Sequence, residues 1–174
     1  MKFSLEKLLE ILENTPAVIS TLLDSLDDEW IMAKESENTW TVKDVVAHLI
    51  VCEQTNWIPR AQIILSDGQE RVLTTVDMNV HFEMAQGNTL ENLIELFKNS
   101  RKSSLNTLKG FNLQDKDFDK IAIHPKIGEV TLKQLISTWA THDLTHLTQI
   151  TRIMAKQNKE NVGAFESFLN ILKS

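Results

Sequence analysis

The stretch VTLKQLISTWATHDLTHLTQITRIMAK, residues 130 to 156, repeats its apolar side chains at intervals of three and four. This spacing forms one stripe along an α-helix, and such a stripe packs against a hydrophobic core. The stripe consists of Leu132, Leu135, Ile136, Trp139, Ile150, Ile153 and Met154. His142, Asp143 and His146 fall inside or beside it. The stretch therefore predicts a long core-facing helix whose buried side is polar near its centre.

The beginning of this helix resembles that of a second segment, WTVKDV, at residues 40 to 45. Thr131 and Thr41 are each placed to cap a helix. Gln134 and Asp44, three positions later, can reach back to these caps. Both segments therefore predict helix starts.

Helical periodicity recurs along the chain, which contains only five glycines and three prolines. Long helices are predicted at residues 4–26, 41–65, 90–108 and 131–156. Thr15 and Pro16 are expected to interrupt the first of them, because proline removes a helical hydrogen bond. The long connection between helices 2 and 3 predicts a crossover with a small extra helix in VDMNVHFEMA. The predicted fold class is all-α, a four-helix bundle in the order helix pair, crossover, helix pair.

The composition is that of one globular domain over residues 1–174, with 42% apolar and 24% charged residues. A net charge of −6 argues against nucleic-acid and anionic-membrane partners, which need clustered lysines and arginines. The N-terminus MKFSLEKLLE has no uninterrupted apolar run, so neither a signal peptide nor a membrane-spanning helix is predicted. With a single cysteine, Cys52, the chain is expected to be cytoplasmic.

The second predicted helix also turns polar on its inward face. Its valines fix the inward direction, and His48 lies at the edge of that stripe beside Cys52. Glu53, Asn56 and Arg60 continue along the same face. Polar groups on the buried faces of two helices need partners, so the sequence predicts that these side chains bind one another or a common ligand between the helices.

Two interpretations of these buried polar groups remain open. In the first, they form a satisfied network in which Arg60 pairs with Glu53 or Asp143 and the histidines bond to backbone carbonyls. In the second, His142 and His146, spaced i and i+4, converge on one metal ion together with a third ligand from a facing helix. Such a ligand set leaves positions open for water or substrate.

Two stretches resemble the DinB/YfiT-like superfamily of metalloenzymes, in its branch of small DinB-like domains. They are TWTVKDVVAHLIVCEQTNWIPRAQIIL and HPKIGEVTLKQLISTWATHDLTHLTQITRIMAKQ. The resemblance extends from about Thr15 to the C-terminus, and its specific parts are the histidine of helix 2 and the HDxxH pair of helix 4. It implies a four-helix bundle with a long crossover, which agrees with the periodicity.

The resemblance also implies a metal site and a class of chemistry. Its ligands would be His48, His142 and His146, which would bind nickel, zinc or a similar divalent ion. Characterised branches include thiol-dependent transferases and isomerases, so the implied substrate is a small molecule and a low-molecular-weight thiol is a candidate partner. Relatives commonly form dimers, so a homodimer is expected.

Several further side chains have more than one interpretation. Relatives often hold a second histidine at the position of Cys52, so this residue is a thiolate ligand, a thiol lining the site or a small buried hydrophobe. His124, in the loop HPKIGE, either overhangs the site or is solvated, and His81 on the crossover is expected at the surface. The expected aromatic core anchors are Trp40, Trp57 and Trp139.

Two classes of function follow from these residues. The first is a metal-dependent thiol transferase or hydrolase, in which Glu53 or Asp143 accepts a proton or fixes a histidine tautomer. In that enzyme, Asn56, Arg60 and Gln149 would line the substrate cavity together with Cys52, and Arg60 would hold a carboxylate. The alternative is a non-catalytic bundle that binds a ligand or a metal.

Overall fold

The computed structural model describes residues 2–68, 71–75, 77 and 79–173. The long helical segments are Leu5–Leu23 (α1), Val42–Cys52 (α3) continued by Ile58–Leu65 (α4), Leu90–Gly110 (α6) and Leu132–Lys156 (α7). The shorter elements are helices Asp28–Ile31 (α2), Val80–Gln86 (α5) and Lys159–Val162 (α8), the antiparallel strands Ile121–His124 (β1) and Gly128–Thr131 (β2), and 3-10 turns at Asp115–Asp117, Gly163–Phe168 and Asn170–Leu172. The predicted all-α four-helix bundle is confirmed. Two residues of the stretch predicted to form a small helix, 76 and 78, lie outside the described residues, and α5 begins shortly after them.

Both predicted helix starts are capping boxes. The Thr41 hydroxyl accepts a hydrogen bond from the Asp44 amide at 3.0 Å, and the Asp44 carboxylate accepts one from the Thr41 amide at 2.9 Å. Thr131 and Gln134 form the same reciprocal pair, at 3.2 and 2.8 Å. Each cap stabilises its helix by about 1 kcal/mol and fixes where the helix begins.

The expected interruption of the first helix at Thr15 and Pro16 is wrong, because α1 runs through both residues. Proline has no N–H, so the carbonyl of Leu12 loses the donor that residue 16 would otherwise supply. A guanidinium nitrogen of Arg101 donates to that carbonyl instead, at 2.7 Å. A side chain from α6 thus satisfies the carbonyl that proline leaves free.

The second long helix contains a π-helical segment, Glu53–Trp57, between α3 and α4. The sequence predicted one uninterrupted α-helix here. A π turn is wider than an α turn, so it shifts the angular positions of the residues that follow it. As a result, Glu53 and Asn56, three residues apart, face different surroundings.

The long helices do not pack as two consecutive pairs. Among the long helices, α1 and α3 each pack against α6 and α7, so the first two long helices lie across one diagonal of the bundle and the last two lie across the other. The expected pairing is therefore wrong, and the reason lies in the long connections, which contain α2 or the β-hairpin and can cross the end of the bundle. The contact between α3 and α7 brings the two histidine-bearing helices together.

Two apolar clusters fill the bundle, one on each side of a polar layer. One cluster joins the first part of α3 to the last part of α7, and it includes Val45 and Ile150. The other joins α4 to the first part of α7, and it includes Ile64 and Leu132. Within the part of the chain that the structure describes, no helix is long and apolar enough to cross a membrane.

Candidate metal centre and adjoining cavity

Three histidines from two helices converge in the polar layer. His48 lies on α3, while His142 and His146 lie one turn apart on α7. The Nε2 atom of His142 is 3.2 Å from Nε2 of His48 and 3.1 Å from Nε2 of His146. One ring nitrogen from each residue lies within 4.8 Å of the others. We call these residues the histidine trio.

All three imidazoles are held in the neutral form. Burial and the charges of neighbouring histidines lower the pKa of His48 and of His142 to about 3. Burial also lowers the pKa of His146. The side-chain oxygen of Gln149 lies 2.8 Å from Nδ1 of His146, and because an amide oxygen only accepts, Nδ1 carries the proton. The Nε2 lone pair of His146 is therefore directed at the other two rings.

This arrangement fits a divalent ion. Two nitrogens that share an ion at about 2.0–2.1 Å lie about 2.8–3.4 Å from each other in tetrahedral or octahedral geometry. The two Nε2 separations, 3.2 and 3.1 Å, fall in this interval. A neutral imidazole carries one N–H, so His142 can donate a hydrogen bond to only one of its two neighbours. A cation bound between the three rings would instead accept a lone pair from each of them. The trio could hold a metal ion, and the ligand role of each histidine remains a prediction.

Aromatic rings surround the histidine trio. The Trp40 ring lies parallel to the His146 ring, at 12° with 6.1 Å between centroids, and its centroid is 4.8 Å from that of His48. His81 was expected at the surface, which is wrong, because it is only 1% exposed and its ring lies 4.3 Å from Trp40 and 5.5 Å from His48. The reason is that α5 packs against α3 and turns His81 inward.

Cys52 adjoins the site as a buried thiol. Its Sγ atom lies 3.4 Å from Nε2 of His48, one helical turn away, and the residue is 3% exposed. Burial and the nearby Glu53 carboxylate raise the pKa of the Cys52 thiol to about 12. The structure thus favours a protonated thiol beside the trio over a free thiolate.

Behind the trio, Arg101 of α6 joins two carboxylates. Its Nε and one Nη donate to Oε1 of Glu53 at 3.0 and 2.8 Å. Its two Nη atoms donate to the two oxygens of Asp143 at 2.6 and 2.9 Å. The indole of Trp139 donates to the same Glu53 oxygen at 2.9 Å. We call these four residues the Arg101 network.

The Arg101 network corrects the sequence analysis. The partner expected for Glu53 or Asp143 was Arg60, whereas the partner found is Arg101, which was not predicted. A signal existed, because Arg101 lies four residues after Phe97 and four before Leu105, both buried on the inward stripe of α6. An arginine within an apolar stripe indicates a buried acidic partner.

The charges of the network are unbalanced. Its carboxylates belong to Glu53 and Asp143, and a single guanidinium faces them, with all three side chains at most 2% exposed. Burial raises the pKa of Glu53 although Arg101 opposes the shift, and the two carboxylates raise the pKa of Arg101 although burial opposes that shift. The raised pKa of Glu53 indicates that this carboxyl group is the one that takes up a proton when two carboxyl groups face a single guanidinium.

A cavity of about 500 Å³ opens beside His142. It is lined by Asn56, Trp57, Arg60, Leu73, His124, Ile127, Glu129, Val130, Gln134, Leu135, Thr138 and His142. The structure thus brings Asn56 and Arg60 to a cavity that His142 of the trio also lines, as expected. Glu53, which was expected on the same inward face, lies in the Arg101 network instead. Gln149 contacts His146 instead of the cavity wall.

The crossover and the hairpin close one side of this cavity. The Leu73 amide donates to the Ile123 carbonyl at 2.9 Å, and the Ile123 amide donates to the Arg71 carbonyl at 2.7 Å. An Nη atom of Arg60 donates to the Thr74 carbonyl at 2.8 Å. These bonds fix the crossover over the cavity, so part of its wall depends on contacts that are distant in sequence.

Comparison with known proteins identifies a family. The sequence profile of the DinB superfamily matches residues 11–150. An uncharacterized protein from Bacillus subtilis strain 168, YuaE, is 21% identical in an alignment of 149 positions that covers 77% of this chain and 89% of YuaE.

Two solved structures share the fold. YfiT from Bacillus subtilis, described as a probable metal-dependent hydrolase with an unusual four-helix bundle topology, superposes with a TM-score of 0.76 at 18% identity. The match covers 90% of this chain and 91% of YfiT. The four-helix bundle protein TT2238 matches with a TM-score of 0.57 at 20% identity, over 85% of this chain and 98% of TT2238. At such identities the likeness shows the fold.

Proposed function

This chain belongs to the DinB superfamily, and we propose that it is a metal-dependent hydrolase or thiol transferase that acts on a small molecule. The observation that carries the proposal is the convergence of three neutral imidazoles, one of which, His142, lines a cavity of about 500 Å³. Cavities of this volume are typical of sites that enclose a small molecule. The description of YfiT, which has the same fold, as a probable metal-dependent hydrolase supports it.

The histidine trio would hold the ion, for which zinc and nickel are the candidates. A divalent ion bound by neutral ligands keeps its full charge and supplies Lewis acidity, which makes water or a thiol a better nucleophile near neutral pH. Gln149 keeps the proton of His146 on Nδ1, so that Nε2 is available as a donor atom. His142 is the member of the trio on the cavity wall.

We assign Glu53 and Asp143 a positioning role rather than proton transfer. Glu53 Oε1 accepts from Arg101 and Trp139, and both oxygens of Asp143 accept from Arg101. Asp143 follows His142 directly in α7, and Glu53 ends the α-helical part of the segment that bears His48. A clamp on these carboxylates therefore fixes the two ligand-bearing helices relative to each other.

Substrate contacts fall to the cavity wall. Asn56 and Arg60 supply polar groups, while Trp57 and Leu135 supply apolar surface. Among the described lining residues, His124 and Glu129 are the side chains outside the trio that can accept or donate a proton. We propose that one of them exchanges a proton with the substrate.

Activity after metal exchange tests this function. The purified protein would be treated with a chelator, supplied with one divalent metal at a time, and assayed on a panel of esters and amides and on a panel of thiols with electrophiles. We expect turnover that disappears with the chelator and returns with one particular metal. If metal binds without any turnover on either panel, the protein is a non-catalytic metal-binding bundle.

A further inference from the structure

We infer that the cavity beside the histidine trio selects small molecules that carry an oxyanion, which Arg60 and the neighbouring hydrogen-bond donors bind. This inference deepens the proposed function by naming the substrate class, and its importance for catalysis rests on that function. Carboxylates and phosphates both carry such an oxyanion. Arg60, His124 and Gln134 present hydrogen-bond donors on the cavity wall.

Arg60 is the central donor. Its guanidinium is half-buried on the cavity wall, its Nε is buried without a hydrogen-bond partner, and one Nη donates to the Thr74 carbonyl at 2.8 Å. No acidic side chain among the described residues forms an ion pair with it. A cation partly removed from water without a counter-ion is unfavourable, so a ligand that brings a negative charge is favoured there.

Two further side chains present donors because their acceptor atoms are already used. The Lys126 amide donates to Nδ1 of His124 at 3.2 Å, so the ring proton of His124 lies on Nε2. The Thr131 amide donates to the side-chain oxygen of Gln134 at 2.8 Å, which leaves the Gln134 amide N–H groups available. Both residues line the cavity. Together with Arg60 they suit a group that is rich in acceptors.

Two side chains on the cavity wall, Glu129 and Asn56, carry hydrogen-bond acceptors. The Glu129 carboxylate is exposed on the hairpin, where water solvates its charge and reduces its repulsion of an anion. Asn56, one turn before Arg60, is 8% exposed and its Oδ1 is buried without a partner, so it can accept from a hydroxyl or amide of the same ligand. The balance favours an anion with a nearby donor.

The rest of the cavity suits an apolar body. Its apolar lining residues are Trp57, Leu73, Ile127, Val130 and Leu135. A ligand with a ring or branched chain at one end and an oxyanion at the other would fill both parts. A purely structural alternative is that Arg60 only anchors the crossover through Thr74.

Binding of simple aromatic probes to the metal-free, full-length protein separates these alternatives. Phenylacetate, phenyl phosphate and the neutral phenylacetamide would be titrated by calorimetry after chelator treatment. We expect the anions to bind at least about tenfold more tightly than the amide, because hydrogen bonds to a charged group are stronger than those between neutral groups. Whichever of the two anions binds more tightly indicates whether the substrate carries a carboxylate or a phosphate.

Two variants test whether Arg60 causes the preference for anions. Arg60→Gln should reduce anion binding to the level of the amide. Arg71→Gln is the matched control, because Arg71 also donates to a backbone carbonyl of the crossover, that of Ser66 at 2.8 Å, but is not among the cavity-lining residues. The control should keep the preference for anions.

Several outcomes overturn the inference. They are equal binding of anion and amide, an unchanged preference in Arg60→Gln, or an equal loss in Arg71→Gln. Comparison of probes on the unaltered protein does not depend on the folding of any variant. If anions bind only after zinc is added, the metal attracts them, and the inference fails while the proposed metal-dependent function survives.

Discussion

Replacement of Arg101 by methionine tests the Arg101 network most severely. The change removes the guanidinium that serves Glu53, Asp143 and the Leu12 carbonyl, all of them buried, and leaves two carboxylates without their cation. Breaking a buried ion pair by removing one partner destabilises a protein by about 3–5 kcal/mol. For a chain of this size that loss lowers the Tm by roughly 6–20 °C.

Thermal and denaturant unfolding followed by circular dichroism measure this effect. The control is Lys109→Met, since Lys109 pairs with Glu13 at 2.7 Å but the two side chains are 53% and 48% exposed, and such surface pairs contribute at most about 1 kcal/mol. In the folded fraction of Arg101→Met we also expect weaker metal binding than in the control. An Arg101→Met protein that unfolds like the control and binds metal equally well would refute the reasoning.

Three further predictions concern the trio and the assembly. Burial lowers the pKa of His48 and His142 to about 3. Below about pH 6.5 the unfolded chain therefore binds protons that the folded, metal-free chain does not bind. As the pH is lowered, the unfolding free energy should fall by up to about 1.4 kcal/mol per pH unit for each of these histidines. Denaturant titrations between pH 7 and pH 5 that show no decrease would contradict this. Gln149→Leu should weaken metal affinity about tenfold or more, because it removes the acceptor that fixes the His146 tautomer. Competition with a chelating dye measures this affinity, and an unchanged value would contradict the prediction. The expected homodimer should appear in sedimentation at micromolar concentration, and a monomer alone would rule it out.

The parts that could be predicted from the sequence are those that short-range rules govern. Thr41 and Thr131 begin helices because each has a polar residue three positions later, and the structure confirms both capping boxes. The side-chain spacing of His142 and His146 places them on one face of α7, and the apolar stripe directs that face inward. The bundle follows from such patterns, whereas the choice of His48 as the third member of the trio came from the resemblance to the DinB/YfiT-like superfamily.

The parts that were missed depend on contacts between distant segments. Arg101 is recognisable as an arginine within an apolar stripe, but its partners depend on which helices are neighbours across the bundle. His81 is buried because α5 docks on α3, which the local sequence does not specify. Pro16 stays inside α1 because a side chain of another helix bonds to the Leu12 carbonyl. None of these contacts has a local periodic signal.

The π-helical segment is a further case of this kind. Apolar periodicity assumes a constant angle per residue, and on that basis Glu53, Asn56 and Arg60 share one face. The segment Glu53–Trp57 changes the angle within the helix, so only Asn56 and Arg60 reach the cavity. Interrupted helices of this type occur frequently at functional sites, and here the interruption separates the Arg101 network from the cavity wall.

The most direct test of the central claim is the number of divalent ions bound per chain, measured by elemental analysis after equilibrium dialysis against zinc or nickel. The account predicts one ion per chain in the unaltered protein and in His124→Ala, whose histidine lines the cavity outside the trio. His146→Ala should bind none at stoichiometric concentration while its circular dichroism remains that of a folded bundle, because a site on a preformed scaffold does not hold the fold together. Full occupancy in His146→Ala, or no bound ion in the unaltered protein, would contradict the account.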